Sequence, residues 1–515
     1  MTIPSLSFCS RSLRCLALGM TALLAGCASV GPDFRSPESP VPSDWQSRPS
    51  SARALSGSLA VSADALPEDW WRVFGDATLD ALQARAADAS PDLQTAVLRF
   101  AQSRLQRSMT ASQATPQVDF NAQAVRQRQS DQSAEMRLVN ALSGSNRAAL
   151  VKVLTDPFTL YQAGFNVSWE LDFWGHVQRQ VEAADAQVEA AGAQLQDARL
   201  VLASELARAY FELRQLQRQQ TLLAREAAIA EELLALQQAS AANGLTDHDP
   251  VLAQTGNLAS LRARQSALEA QAAALVNQIG LLTGDGPGVL NAILAPAVAG
   301  LDDDAAPVLP ALKLGQAADL LRRRPDVRAV EARLHAATAG IGVAVADLYP
   351  RISLGASAGY QSISSGAFGD WGTRTWQVGP VLNLPIFDRG RRKANVELRR
   401  QDQQAAAIAW RQSVLKAWQE VDDALNEHAA ERVRNRNLRD RAAASREQLA
   451  FARARAANGL VSQMPPLQAE LAWRQAQSDL SESDTRLRTS LVKIYKAVGG
   501  GMPVPEDASG PSTRN

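Results

Sequence analysis

The stretch HVQRQVEAADAQVEAAGAQLQDARLVLASELARAYFELRQLQRQQTLLAREAAIAEELLALQQASA, residues 176–241, decides the fold of this chain. It contains no proline and a single glycine, Gly192. Apolar side chains recur in alternating steps of four and three, at Val177, Val181, Ala184, Val188, Ala191, Leu195, Ala198 and Leu202. This spacing predicts one continuous helix with an apolar seam facing a partner helix, and a generic coiled coil would carry the same pattern. The helix would be ~100 Å long, far more than a globular core requires.

Two segments before this helix alternate between apolar and polar residues. The apolar positions are Val118, Phe120, Ala122 and Ala124, then Tyr161, Ala163, Phe165, Val167, Trp169 and Leu171. A period of two predicts β-strands with one apolar face. The opposite face is polar, which is typical of a transmembrane barrel with lipid outside and water inside, but a half-exposed soluble sheet would have the same pattern.

The chain contains an internal duplication. Landmarks of the first half recur in the second: Pro91 and Pro116 as Pro325 and Pro350, and the motif Ala-Ala-Asn-Gly-Leu at 241–245 again at 456–460. The two copies of the motif are closer together in sequence than the two copies of the prolines, which predicts a longer loop between the first pair of strands. The second pair of alternating segments has its apolar residues at Ile352, Leu354, Ala356, Ala358 and Tyr360, and at Trp376, Val378, Leu382, Leu384 and Ile386.

Proline and glycine breaks delimit the remaining elements. Further helices are predicted over residues 76–89, 91–113, 248–284, 391–457 and 463–498. The predicted organisation is a signal segment over 1–26, an N-terminal arm over 27–75, a first repeat over 76–300, a second repeat over 301–498 and a disordered tail over 499–515.

Four strands per chain are too few to close a membrane barrel, because closed barrels begin at about eight strands. Open strand edges in lipid would leave backbone groups without hydrogen bonds, which costs several kcal/mol for each group. The sequence therefore predicts long α-helices joined to a transmembrane β-barrel, with several copies of the chain sharing one barrel as an obligate oligomer.

The N-terminus has the layout of a secretory signal. Arg11 and Arg14 precede an apolar run over 15–25, which is too short to span a bilayer, and Cys27 follows. The ending Leu-Ala-Gly-Cys resembles the bacterial lipobox, which implies cleavage before Cys27 and acyl chains such as palmitate on its sulfur and amine. Because Ala28 rather than Asp follows, the resemblance implies sorting to the outer membrane. A leftover free cysteine is the alternative.

Several short segments resemble the outer-membrane-factor family of tripartite efflux systems, the TolC-like channels, and specifically its lipidated branch. They are VGPDF at 30–34, SPDL at 90–93, LRRRPDV at 321–327, DLYPR at 347–351, FDRGRR at 387–392, GLVS at 459–462 and YKAVGGG at 495–501. The resemblance covers nearly all of the mature chain. It implies a homotrimer with a twelve-stranded barrel above a long α-helical tunnel that crosses the periplasm. It also implies docking to a periplasmic adaptor and an inner-membrane pump for the export of small molecules.

The resemblance also implies that the two helix turns, at 243–249 and 458–463, are the docking surface. Each turn begins Asn-Gly-Leu, and glycine is the usual residue where a helix ends. Leu245 and Leu460 are expected to lie exposed, where apolar side chains suit contact with an adaptor hairpin. The predicted docking residues are Gly244, Leu245, Thr246, Gly459, Leu460, Val461 and Ser462.

The first turn also carries two acidic residues. Asp247 and Asp249, repeated by symmetry, are predicted to form a ring of carboxylates at the narrowest point of the pore, and such rings favour cations. The second turn departs from the family, which has a pattern near Leu-Asp-Val where this chain reads Gln463-Met464-Pro465-Pro466. The contacts of that turn therefore do not follow from the resemblance.

The remaining patterns argue against other classes of function. The formal net charge is zero, so no nucleic-acid partner is expected. No metal or other cofactor is predicted besides the lipid on Cys27, because the four histidines, His176, His248, His335 and His428, are scattered. An enzyme such as a lipid-anchored hydrolase would require a catalytic constellation that the sequence does not present. The alternative function is a periplasmic, lipid-anchored coiled-coil adaptor or scaffold without a pore, but this would leave the repeated strands unexplained.

Overall fold

The computed structural model describes residues 29–38, 67–130, 132, 137, 147–296 and 323–500. Cys27, the signal segment, most of the N-terminal arm, the boundary between the repeats and nearly all of the tail lie outside the described residues. The elements are α1 (Ala77–Ala89), α2 (Pro91–Ala111), β1 (Gln117–Gln127), α3 (Arg147–Thr155), β2 (Phe158–Leu171), α4 (His176–Ala242), α5 (Asp249–Thr283), α6 (Pro325–Ala346), β3 (Arg351–Ser362), β4 (Arg374–Asn383), α7 (Arg391–Ala457) and α8 (Met464–Ala497).

Capping side chains and proline residues set where the helices begin and end. The predicted long helix is confirmed as α4, with 67 residues, and it recurs as α7, also with 67 residues. At the start of α1, the Asp76 carboxylate accepts hydrogen bonds from two backbone amides at 2.9 and 3.1 Å. The prediction for 91–113 was two residues too long, because α2 ends at Ala111 and the chain tightens into a 3-10 turn, Ser112–Ala114, before Pro116.

The four strands form one antiparallel sheet in the order β1-β2-β3-β4. The register aligns apolar residues across it: Phe120 pairs with Phe165, Phe165 with Ala358, and Ala358 with Trp376. One position along, the aligned residues are Asn121, Gly164, Gly359 and Thr375. Because neighbouring residues in a strand point to opposite faces, the sheet has one apolar and one polar face, as predicted.

The second half of the chain repeats the element order of the first. In each half, a helix leads into a pair of strands. A 67-residue helix follows the strands, and a shorter helix then returns alongside it. The predicted longer loop in the first half is confirmed, since it carries the additional helix α3 between β1 and β2. Short 3-10 turns occupy the corresponding loop between β3 and β4.

The chain divides into two compact units, each containing segments from both halves. Unit 1 comprises the residues up to Arg35, Ser103–Val188 and Arg333–Ala406, and it contains the sheet. Unit 2 comprises Ser36–Gln102, Glu189–Ala332 and Ala407–Asn515. The core of unit 2 joins α1, the start of α2, α4, α5, α7 and α8, and in it Trp70 stacks on Tyr495 with 5.2 Å between ring centroids.

The predicted seam of α4 is only partly buried in the single chain. Val177, Ala184 and Leu202 are buried, whereas the other five seam residues are half-buried. A second apolar row is buried more consistently, at Ala186, Ala190, Ala193, Leu200 and Ala207. The prediction of one seam was therefore incomplete. Helix α4 has two apolar rows, and other parts of the same chain pack against both of them. Within the described part of the chain, no helix combines the length and the apolar character that a membrane span requires.

Candidate functional site

The first predicted docking turn follows the end of α4. Gly244 adopts the left-handed conformation, with φ of 69°. Its amide donates to the carbonyl of Ala241 at 3.0 Å, and the amide of Leu245 donates to the carbonyl of Ser240 at 2.9 Å. These two bonds define a Schellman ending, which satisfies carbonyl groups that the helix leaves free. The glycine of the turn is therefore fully explained by the backbone.

The second turn, after α7, repeats this geometry. Gly459 has φ of 70°, and the amides of Gly459 and Leu460 make the corresponding hydrogen bonds at 3.0 and 2.9 Å. The side chains of Asn243 and Asn458 each donate to the carbonyl four residues earlier, at 2.7 and 2.8 Å. The two turns thus have the same local structure over the motif that they share, and their sequences differ only after the leucine.

The two leucines are exposed, as predicted. A Schellman ending usually brings the residue after its glycine into apolar contact with the last helical turn. Leu245 is nevertheless 79% exposed and Leu460 is 69% exposed. Thr246 and Ser462 are also exposed, and Val461 is half-buried. Capping accounts for the glycines, whereas the apolar contact that usually accompanies it leaves most of each leucine side chain exposed.

Acidic residues are confined to the first turn. Asp247, His248 and Asp249 are all exposed, and alignment of the two Asn-Gly-Leu motifs places the two acids opposite Ser462 and Met464. Asp249 is also the first residue of α5, where a carboxylate stabilises the positive end of the helix dipole. Each copy of the chain therefore supplies carboxylates from one turn, and Asp249 has a structural role that is independent of any pore.

The departure at Gln463-Met464-Pro465-Pro466 does not alter the backbone of the second turn. Gln463 precedes α8 with φ −75° and ψ −13°, and His248 precedes α5 with φ −75° and ψ −18°. Both helices carry a proline in their first turn, where it displaces no helical hydrogen bond. The side chain of Pro466 is buried, so packing within the chain explains a proline at this position.

Packing within unit 2 holds the two helical hairpins side by side. Ile229 and Leu233, in the last third of α4, pack with Leu467, in the first turns of α8. Within each hairpin, ion pairs cross between the helices, such as Glu231 with Arg262 at 2.7 Å and Arg453 with Glu470 at 2.6 Å. The structure therefore brings the two predicted docking turns to the same end of unit 2.

A charge cluster around the buried Arg324 explains one family segment whose role the sequence did not reveal. The guanidinium of Arg324 pairs with Glu420 at 2.6 Å and Asp326 at 2.8 Å, and it donates to the carbonyl of Ala497 at 2.8 Å. These groups line a cavity of about 530 Å³. The signal that could have indicated the cluster is the arginine directly before Pro325 and Asp326, where α6 begins.

The cluster shifts the pKa values of its members. Burial opposes the charge of Arg324, but hydrogen bonds and charges from Asp326 and Glu420 outweigh it and raise its pKa. Burial likewise acts to raise the pKa of Asp326, but the hydrogen bond and charge of Arg324 lower it below the usual range. For Asp197, burial and then the charge of Asp326 raise the pKa. The cluster is thus a structural ion pair that joins α6, α7 and α8.

The described residues include no group of three or more His, Cys, Asp and Glu side chains arranged to bind a metal. The predicted lipidation residue, Cys27, lies outside them, two residues before the described chain begins at Ser29.

Three comparisons with known proteins agree with one another. The family model for "Outer membrane efflux protein" matches residues 82–285 and 317–500. Outer membrane protein OprJ of Pseudomonas aeruginosa is 31% identical over 499 residues, covering 95% of this chain and 97% of OprJ. Probable outer membrane lipoprotein SilC of Salmonella typhimurium is 26% identical, covering 95% of this chain and 99% of SilC. The solved structure of the outer-membrane channel OprN superposes with a TM-score of 0.77 at 29% identity, covering 92% of this chain and 99% of OprN.

Proposed function

The chain belongs to the outer membrane efflux protein family and is an outer-membrane efflux channel, and we propose that it acts as a homotrimer docked to a periplasmic adaptor and an inner-membrane pump. In this assembly, small molecules pass from the periplasm or the cytoplasm through the channel to the outside. The acyl chains on Cys27 add a second attachment to the outer membrane. We propose no catalytic role.

The observation that carries this proposal is the two-faced sheet with open edges. Its apolar face continues across all four strands, and β1 and β4 have no strand partner on their outer sides within the described chain. Unpaired strand edges are not stable in lipid. Three copies joined edge to edge would supply twelve strands and pair every edge. A coiled-coil scaffold without a pore would have no use for such a sheet.

The adaptor is proposed to bind the turns at Gly244, Leu245, Thr246, Gly459, Leu460, Val461 and Ser462. Leucine side chains exposed at helix ends are suited to helix-in-groove contacts, in which a partner covers apolar residues. The acidic first turn is proposed to form the pore constriction, since three copies of Asp247 and Asp249 would concentrate negative charge there.

Single-channel recording in a planar bilayer tests both proposals. We expect the purified wild-type protein to conduct and to favour cations, whereas a scaffold without a pore would give no channels. Asp247→Ala combined with Asp249→Ala should conduct with weaker cation selectivity. The matched control, Asp440→Ala with Glu447→Ala, removes equal charge from exposed positions on α7. Selectivity that is equal in both double variants would exclude the first turn as the constriction.

A further inference from the structure

The segment VGPDF, singled out above only as a family motif, lies in a strap of residues 29–35 fastened to the rest of unit 1. The amide of Val30 donates to the carbonyl of Trp174 at 3.1 Å. Asp33 accepts a hydrogen bond from Arg179 Nη2 at 2.7 Å. The strap therefore contacts the corner at which β2 leads into α4.

Arg179 is the centre of this attachment. Its side chain is 4% exposed, although that of Asp33 is 83% exposed. Besides Asp33, the guanidinium donates to the carbonyl of Val30 at 3.3 Å and to Glu182 at 2.7 Å. A buried guanidinium requires partners for its charge and its donors. Part of that requirement is met by the strap and part by α4 itself.

Two glycine contacts bring the strap backbone close to the helices. Gly31, with φ of 98°, lies against Gly342 of α6, and a methyl group on Gly31 would be 2.5 Å from the Cα of Gly342. A methyl group on Gly175 would be 2.6 Å from the Cβ of Ser29. Both positions thus require glycine, because any larger residue would push the strap away.

An aromatic contact closes the far end of the strap. Phe34 stacks on the ring of His335, with 4.4 Å between centroids and 16° between planes. His335 Nε2 lies 3.1 Å from the Glu182 carboxylate that also holds Arg179. The strap, α4 and α6 therefore share one connected set of polar and aromatic contacts.

The corner that holds Ser29 lies at the end of the sheet where several chain segments carry exposed apolar side chains. Trp174 stacks on Tyr349 at 4.8 Å, and its Nε1 donates to the carbonyl of Pro350. Exposed residues at this edge of the sheet, which we name the collar, are Phe173, Leu348, Tyr349, Leu384, Ile386 and Phe387. Cys27 precedes Ser29 by two residues, so chain geometry keeps their Cα atoms within ~7 Å.

We propose that the Arg179 contacts act as a clasp that seats the acyl chains of Cys27 against the collar. The inference rests on the proposed lipidation of Cys27. The clasp itself is made by protein atoms, so it forms with or without the lipid. The occupant is the protein's own acyl chains, because the described chain begins two residues after their attachment point and beside apolar side chains that the described chain leaves exposed.

Hydrogen exchange of the Val30 amide tests the clasp. We expect Asp33→Asn to raise its exchange rate about tenfold or more, because a charge-assisted hydrogen bond is lost. Arg179 keeps Glu182 in this variant, so the fold should persist. The matched control is Asp185→Asn on the same helix as Arg179, which weakens the 2.7 Å pair of Asp185 with Arg107 of α2 and does not touch the strap. Unlipidated Cys27→Ser should keep the protection. Equal exchange in wild type and Asp33→Asn would overturn the clasp.

Photo-crosslinking tests the seat. Cells are supplied with a palmitate analogue carrying a diazirine, and the purified protein is irradiated and digested. We expect peptides covering residues 173–175 or 348–349 to be crosslinked to the N-terminal peptide. The yield of these crosslinked peptides should decrease several-fold in Asp33→Asn and stay unchanged in Asp185→Asn. Adducts with the mass of a free phospholipid alone would mean that membrane lipid occupies the collar, and would overturn the proposal. Absence of label from Cys27 would overturn the lipidation and the seat together, while the exchange result would still decide the clasp.

Discussion

His428 lies buried between α7 and α8, where its Nδ1 is 2.8 Å from the hydroxyl of Ser490. The same hydroxyl lies 2.9 Å from the carbonyl of Leu487, to which it can donate. Burial, and then the charge of Arg432, lower the pKa of His428 to about 4. The folded protein therefore holds this imidazole in its neutral form.

This residue should make stability depend on pH. The ordinary pKa is 6.5 and the folded value is about 4, so between these values the unfolded chain binds the proton more readily. The stabilisation is complete above pH 6.5 and decreases by up to ~3 kcal/mol as the pH falls to 4. Thermal melts followed by circular dichroism should show a smaller loss between pH 7 and 4.5 in His428→Gln than in wild type. His248→Gln, at an exposed position, is the control, and equal losses in both variants would contradict the prediction.

At the scale of elements, different residues of the two turns have different roles, one set capping the helix and the other available to a partner. Their glycines and asparagines complete the ends of α4 and α7, whereas their leucines make little contact with their own chain. A substitution at a leucine should therefore leave the hairpins folded and alter only what binds to them.

We expect Leu460→Asp to abolish crosslinking between the channel and its adaptor, because it places a charge where an apolar contact is proposed. The yield of trimer should be unchanged, since the side chain is exposed. Gln468→Asp adds the same charge at an exposed position on α8 and should leave crosslinking intact. Crosslinking by Leu460→Asp at the level of wild type would count against docking at the second turn.

For the whole molecule, the order of the strands identifies the surfaces that copies of the chain should share. β1 and β4 are the outer strands, and α2 leads into β1 whereas α7 follows β4. Along α2 the side chains of Leu98, Leu105 and Met109 are exposed, at spacings that place them on one helical face. Because large exposed apolar surfaces often mark interaction sites, we expect this face of α2 to contact a second copy.

Leu105→Glu should accordingly reduce the proportion of trimer seen by native mass spectrometry in detergent. Burial of one leucine contributes about 1.5–3 kcal/mol, and each of the three interfaces would lose it. The variant should still fold, because Leu105 is 66% exposed in the single chain. Gln106→Glu introduces the same charge at the adjacent exposed position, and a loss of trimer in both variants would exclude a specific role for Leu105.

Local patterns in the sequence determined the elements and their order. The span of α4 was predicted to within one residue, the strands to within a few, and the glycine turns at Gly244 and Gly459 correctly. Periodicity, proline and glycine act over a few residues, so one sequence suffices to read them. The exposure of Leu245 and Leu460 followed from the same reasoning, since a residue beyond a helix end has few neighbours. Lipidation of Cys27 remains a prediction from its local motif.

Only the tertiary structure decided which distant residues meet. Periodicity marked an apolar seam on α4 but did not reveal that a second row, including Ala186 and Ala193, is buried more deeply. The attachment of Arg179 to Asp33 and the cluster of Arg324 with Glu420 join residues 146 and 96 positions apart. Such contacts depend on how helices pack and on hydrogen-bond geometry at each site. The spacing of residue types along a chain reveals neither the helix packing nor the hydrogen-bond geometry. A charged residue looks the same in the sequence whether its side chain contacts water or a buried carboxylate.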